Sequence, residues 1–130
     1  MVRKLRLHLL EEKFTLSKLP QFAELPVTLM KGDMCFVFRT EEELSVISPE
    51  FMAPTNVQQE VGWRCIRVHG ESQLKDASIV VSISTPLASA NIPVLTVTTF
   101  DTVYFFFQEE HVVQAVTALQ QAGHEFSHKE

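Results

Sequence analysis

The sequence predicts an α+β fold, and three observations predict it. The segment Trp63-Arg64-Cys65-Ile66-Arg67-Val68 sets apolar beside charged residues, as a strand with one buried face does. The stretch from Ala77 to Phe100, ASIVVSISTPLASANIPVLTVTTF, contains no charged residue, and its first half carries Ile79, Ile83 and Leu87 at i, i+4 and i+8. Val103-Tyr104-Phe105-Phe106-Phe107 has the aromatic density of a strand, and a second helical pattern of Val112, Val116 and Leu119 follows it. From Trp63 onward the order is therefore β-α-β-β-α-(β). This is the split βαβ pattern of a ferredoxin-like sandwich, an antiparallel sheet with its helices on one face.

Each element has a local reason. Asp76 or Ser78 can cap the first helix, with Val80 and Ala90 beside Ile79, Ile83 and Leu87 on its inner face. Pro86 lies well inside it, removes a backbone donor and presses on the carbonyl of Ser82, so a kink or an early end is expected. Ile92 to Thr99 has the β-branched density of a strand, and its apolar residues on both faces predict cover on both sides. Phe100-Asp101-Thr102 turns the chain into the aromatic strand and makes a hairpin. Glu109-Glu110 place negative charge at the start of the second helix, Gly123 ends it, and His124 to Phe126 add a short last strand.

The uncharged stretch is long enough to cross a bilayer, yet serines and threonines run through it and Asn91-Ile92-Pro93 cuts it near the middle. Two buried elements account for it without a membrane.

The first half reads as strands at Leu5 to Leu10 and Phe14 to Leu19, then a pair at Met34 to Arg39 and Leu44 to Ser48 around the turn Thr40-Glu41-Glu42-Glu43. Pro49-Glu50-Phe51-Met52 begins a helical turn, and Pro20, Pro26 and Pro54 restrict any other helix to a short or irregular one. The expected division is an abbreviated unit at 1–60 and a fuller one at 61–130.

Composition narrows the function classes. A net charge of -5 and a pI near 5.5 argue against a nucleic-acid surface, which needs a basic face. Cys35 and Cys65 sit in apolar runs and are expected as buried free thiols. The N-terminus has no secretory pattern, so the expected location is cytoplasmic. His124 and His128 lack matching ligands for a metal, and Ser82, Ser84 and Thr85 have no glycine-framed elbow, so these hydroxyls are expected to bond back to helix carbonyls. No glycine-rich phosphate loop is present, and no cofactor is expected. Glu41-Glu42-Glu43 read as a solvated turn. An enzyme would have to draw on Cys65, Asp76 or His69, and nothing in their spacing supports that.

The run WRCIRVHG, then SIVVSISTPLASANIPVLTVTTFDT, then a strand and a helix ending in QQAGH, resembles the small ACT-domain proteins related to the regulatory modules of amino-acid metabolism. It is similar also to the last ACT domain of the animal cytosolic arginine sensors, through the PLA-x-A-x-I-x junction and the TF-x-x-D-like turn. The resemblance implies two ACT-like units in tandem that bind an amino acid at their interface, without catalysis, and that form a homodimer. It implies ligand contacts at the loop and helix start, Asp76, Ala77 and Val80, and at the strand-end turn, Thr99 and Phe100. Val103 departs from the pattern, because many relatives carry an acidic residue there. A cationic ligand would lose its counter-charge, so a neutral or apolar amino acid is expected. The alternative is an interaction dimer that has lost its ligand, with Val103 filling the former pocket.

Overall fold

The computed structural model describes residues 4–68 and 77–127. The chain runs β1 (Arg6–Leu9), β2 (Phe14–Leu19), α1 (Val27–Met30), β3 (Phe36–Arg39), β4 (Leu44–Pro49), β5 (Gln58–Val68), α2 (Ala77–Ser89), β6 (Leu95–Thr98), β7 (Val103–Gln108), α3 (Val112–Gln121) and β8 (Glu125–Phe126). Single 3-10 turns lie at Glu50–Met52 and Glu109–His111. The fold is the expected α+β, ferredoxin-like one.

Two compact units form, Met1–Glu11 with Arg64–Glu130, and Glu12–Trp63. This differs from the division at 60 and 61, because β1 does not stay with its sequence neighbours. It pairs antiparallel with the later part of β5, Leu7 opposite Val68 and Leu9 opposite Ile66. Pairing between residues so distant along the chain leaves no mark in local periodicity.

In the unit Glu12–Trp63 the sheet order is β3-β4-β2-β5, every pair antiparallel. Leu19 lies opposite Leu44, and these two with Val46 and Leu29 of α1 make a small core. Proline limits the helix as expected: α1 has four residues and begins directly after Pro26. Thr40 Oγ1 accepts from the backbone N–H of Glu42 at 3.1 Å and of Glu43 at 3.2 Å, closing the β3–β4 turn and leaving Glu41 and Glu42 exposed. Phe14 faces Trp63, but Leu16 faces Glu60, so β5 carries one extra residue between them. Gly62 absorbs this bulge at φ 79°, a conformation that strains any side chain with a Cβ.

In the other unit β8, β1, β5, β7 and β6 lie side by side in that order. Ile66 and Val68 of β5, Leu7 of β1 and Val103, Phe105 and Phe107 of β7 turn one face toward Ile79, Ile83 and Leu87 of α2 and Ala115 and Leu119 of α3. Burying side chains of this size contributes about 1.5–3 kcal/mol each before entropy is counted. Cys65 and Phe106 project to the opposite face and are also fully buried, so β5 is not the strand with one buried face that its sequence suggests.

Three further expectations change. β8 runs parallel to β1, so the sheet is not wholly antiparallel. β6 pairs with β7 alone and sits at the edge, with Thr96 and Thr98 exposed, so it is not covered on both sides. Its β-branched content reflects its place in a hairpin, since propensity does not report depth. Val80 is half-buried and lies outside the core that Ile79 and Ile83 join, whereas Ala90 packs against it.

Both long helices stop by the same device. After α2, Ile92 N–H bonds Leu87 C=O at 3.0 Å and Asn91 N–H bonds Ala88 C=O at 2.9 Å, with Asn91 at φ 61°. After α3, His124 N–H bonds Leu119 C=O at 3.1 Å and Gly123 N–H bonds Gln120 C=O at 2.9 Å, with Gly123 at φ 100°. These are Schellman caps, and the buried contact of Ile92 with Leu87 belongs to the motif.

Candidate functional site

The short Asn91–Val94 connection reverses the chain between α2 and β6. The N-terminal end of α2 and the turn at the end of β6 therefore come to the same end of the unit. The turn is closed by threonines: Thr99 N–H bonds Thr102 C=O at 2.8 Å, and Thr99 Oγ1 accepts from Thr102 N–H at 3.1 Å. Phe100 at its tip is 84% exposed.

The expected site residues divide. Thr99 and Phe100 share this turn, and Ala77 is the first residue of α2. Val80 is half-buried on the next part of that helix. Asp76 lies outside the described residues. Val103 opens β7 beside the turn, opposite Thr98, but its side chain is 0% exposed and packs in the helix-covered core with Phe105 and Ile79. It is an apolar core residue at the position where the resemblance implies an acidic one.

Sequence reasoning missed the principal polar arrangement of this unit. Pro86 stays inside α2, which continues three residues beyond it to Ser89. Having no N–H, it leaves the Ser82 carbonyl without its helical donor. His124 Nε2 reaches that oxygen at 2.9 Å, while His124 Nδ1 accepts from Leu5 N–H at 3.0 Å. The two partners assign the proton to Nε2 of a neutral ring. A histidine just past the α3 cap and a proline inside α2 were both visible, but their meeting depends on how the helices pack.

Other chemistry-bearing groups behave locally. Ser82 Oγ donates to Ser78 C=O at 2.6 Å and Ser84 Oγ donates to Val80 C=O, so these hydroxyls are engaged with their own helix, as expected. Among the described residues no three His, Cys, Asp or Glu side chains are grouped to hold a metal ion, and no helix is long and apolar enough to cross a membrane.

Both cysteines are free; Cys65 is buried and Cys35 is half-buried. Burial pushes the Cys35 thiol above its ordinary pKa, so its reactive thiolate is scarcer at neutral pH than that of an exposed cysteine. Alkylation of the native protein, mapped by mass spectrometry, should be slow at Cys35, faster as pH rises, and absent at Cys65 until the chain unfolds. Rapid native labelling of Cys65 would restore it as a candidate nucleophile.

Residues 58–121 match the family model described as the ACT domain, a span slightly under half of the chain. No curated protein sequence matches. Among solved structures, a protein of Agobacterium tumefaciens superimposes with a TM-score of 0.90 at 23% identity, covering 99% of this chain and 96% of its own. A Vibrio cholerae protein of unknown function gives 0.71 at 17% identity over 92% of this chain and 91% of its own. The ligand-free regulatory subunit of aspartate kinase from Thermus thermophilus gives 0.55 at 13% identity over 85% of this chain and 91% of its own. Residues 58–121 are thus similar to an ACT domain, set within an α+β, ferredoxin-like fold.

Proposed function

We propose that the chain is a non-catalytic regulatory module, a cytoplasmic homodimer that binds a neutral or apolar amino acid at an interface between ACT-like units. The observation that carries this reading is that the ACT-matching span, residues 58–121, contains both the start of α2 and the Thr99–Thr102 turn, which face the same end of their unit. The likeness of fold to an aspartate kinase regulatory subunit supports a regulatory role. Asp76, Ala77, Val80, Thr99 and Phe100 would contact the ligand, and Val103, buried beneath the turn, would support it from the core side. Screening the common amino acids by thermal shift tests it. A true ligand at about a hundredfold over its Kd should add about 2.7 kcal/mol of stability.

A second reading is favoured by the full burial of Val103: a ferredoxin-like dimer that has lost its ligand. A dimer by sedimentation whose stability no amino acid changes at millimolar concentration would establish it over the first.

A further inference from the structure

We infer that the Glu12–Trp63 unit carries a site of its own, for an amino-acid zwitterion bearing no additional negative charge. A cleft of about 440 Å³ opens on its sheet, lined chiefly by Leu16, Lys18, Glu43, Ser45, Gln58 and Glu60. The register explains why these side chains converge. Lys18 lies opposite Ser45 on β4 and Gln58 on β5, and Leu16 lies opposite Glu60. Alternation along each strand sends all of them to one face, the face away from Leu19, Leu44 and Val46. Glu43 precedes Leu44 on the same side as Ser45. Lys18 is therefore flanked by two glutamates, Glu43 and Glu60, each a diagonal cross-strand neighbour, a relation that sets backbones roughly 7–8 Å apart and leaves long side chains within reach of one another.

Among the described residues the Lys18 ammonium and the Glu43 and Glu60 carboxylates make neither an ion pair nor a hydrogen bond. Their charges stay open to a ligand. A zwitterion fits this − + − arrangement with its carboxylate against Lys18, within reach of the Ser45 hydroxyl and Gln58 amide, and its ammonium against either Glu60 on one side or Glu43 on the other. Leu16 supplies an apolar floor for the ligand's carbon skeleton. The excess of carboxylates disfavours a second negative charge on the ligand and leaves room for a second cationic group. This site is independent of the α2 and β6–β7 end of the other unit.

The test is a titration of the full chain with L-serine, L-lysine and L-glutamate, to about 10 mM, followed through backbone amide resonances. Serine and lysine should shift the amides of residues 16–18, 43–45 and 58–60, with glutamate at least tenfold weaker. Lys18→Met, an exposed position that should fold normally by circular dichroism, should weaken binding at least tenfold, and Glu60→Gln should weaken it less. Absence of shifts in those segments, undiminished binding by Lys18→Met, or glutamate binding as well as serine would each overturn the site. Shifts at 77–80 and 99–103 report on the α2 and β6–β7 site separately, so either site can fail without the other.

Discussion

Replacing His124 with leucine should destabilise the protein by about 2–4 kcal/mol in urea unfolding, because it leaves two buried backbone groups, the Leu5 N–H and the Ser82 carbonyl, without the imidazole. Leucine has similar bulk, so the loss measures hydrogen bonding more than packing. The structure makes a sharper claim. If His124 stands in for the donor that Pro86 lacks, an alanine at 86 restores an N–H for the Ser82 carbonyl. His124→Leu should then cost about 1 kcal/mol less in the Pro86→Ala background than in the native one. Equal costs in both backgrounds would show that the imidazole does not compensate for the proline.

Val103→Asp should lose at least about 3 kcal/mol, since the carboxylate would enter a core of Phe105, Phe107, Ile79 and Leu7 with no partner to stabilise it. The substitution reproduces the acidic residue that the ACT resemblance leads one to expect, and so separates two roles for the position. If residue 103 were a wall exposed to ligand, the aspartate would stay solvated, stability would change little, and arginine at millimolar concentration would raise it. If 103 is core, arginine will not rescue the variant. Its full burial supports the second outcome.

The candidate site was partly legible. Thr99 and Phe100 could be placed in a turn because a β-branched run, a polar break and an aromatic run follow one another directly in sequence. Val103 adjoins that turn in sequence, but alternation along β7 turns it inward with Phe105 and Phe107, which position in the chain alone does not reveal. The open charges around Lys18 could not be read at all, since Lys18, Ser45, Gln58 and Glu60 come from three strands and meet only through register.

What the sequence alone determined is what neighbouring residues decide among themselves. The strands Phe14 to Leu19 and Val103 to Phe107, the helix carrying Ile79, Ile83 and Leu87, the break at Asn91 and the stop at Gly123 all follow from side-chain period and from backbone conformations that asparagine and glycine tolerate. Tertiary structure decided which strands became partners: β1 joined the later part of β5, β8 ran parallel to β1, and β6 was left at the edge. It also brought His124 to the carbonyl that Pro86 had deprived of a donor. Those outcomes depend on free energy gained between residues far apart in the chain, where burial and hydrogen bonding must exceed the entropy of closing long loops, and no local pattern records that balance.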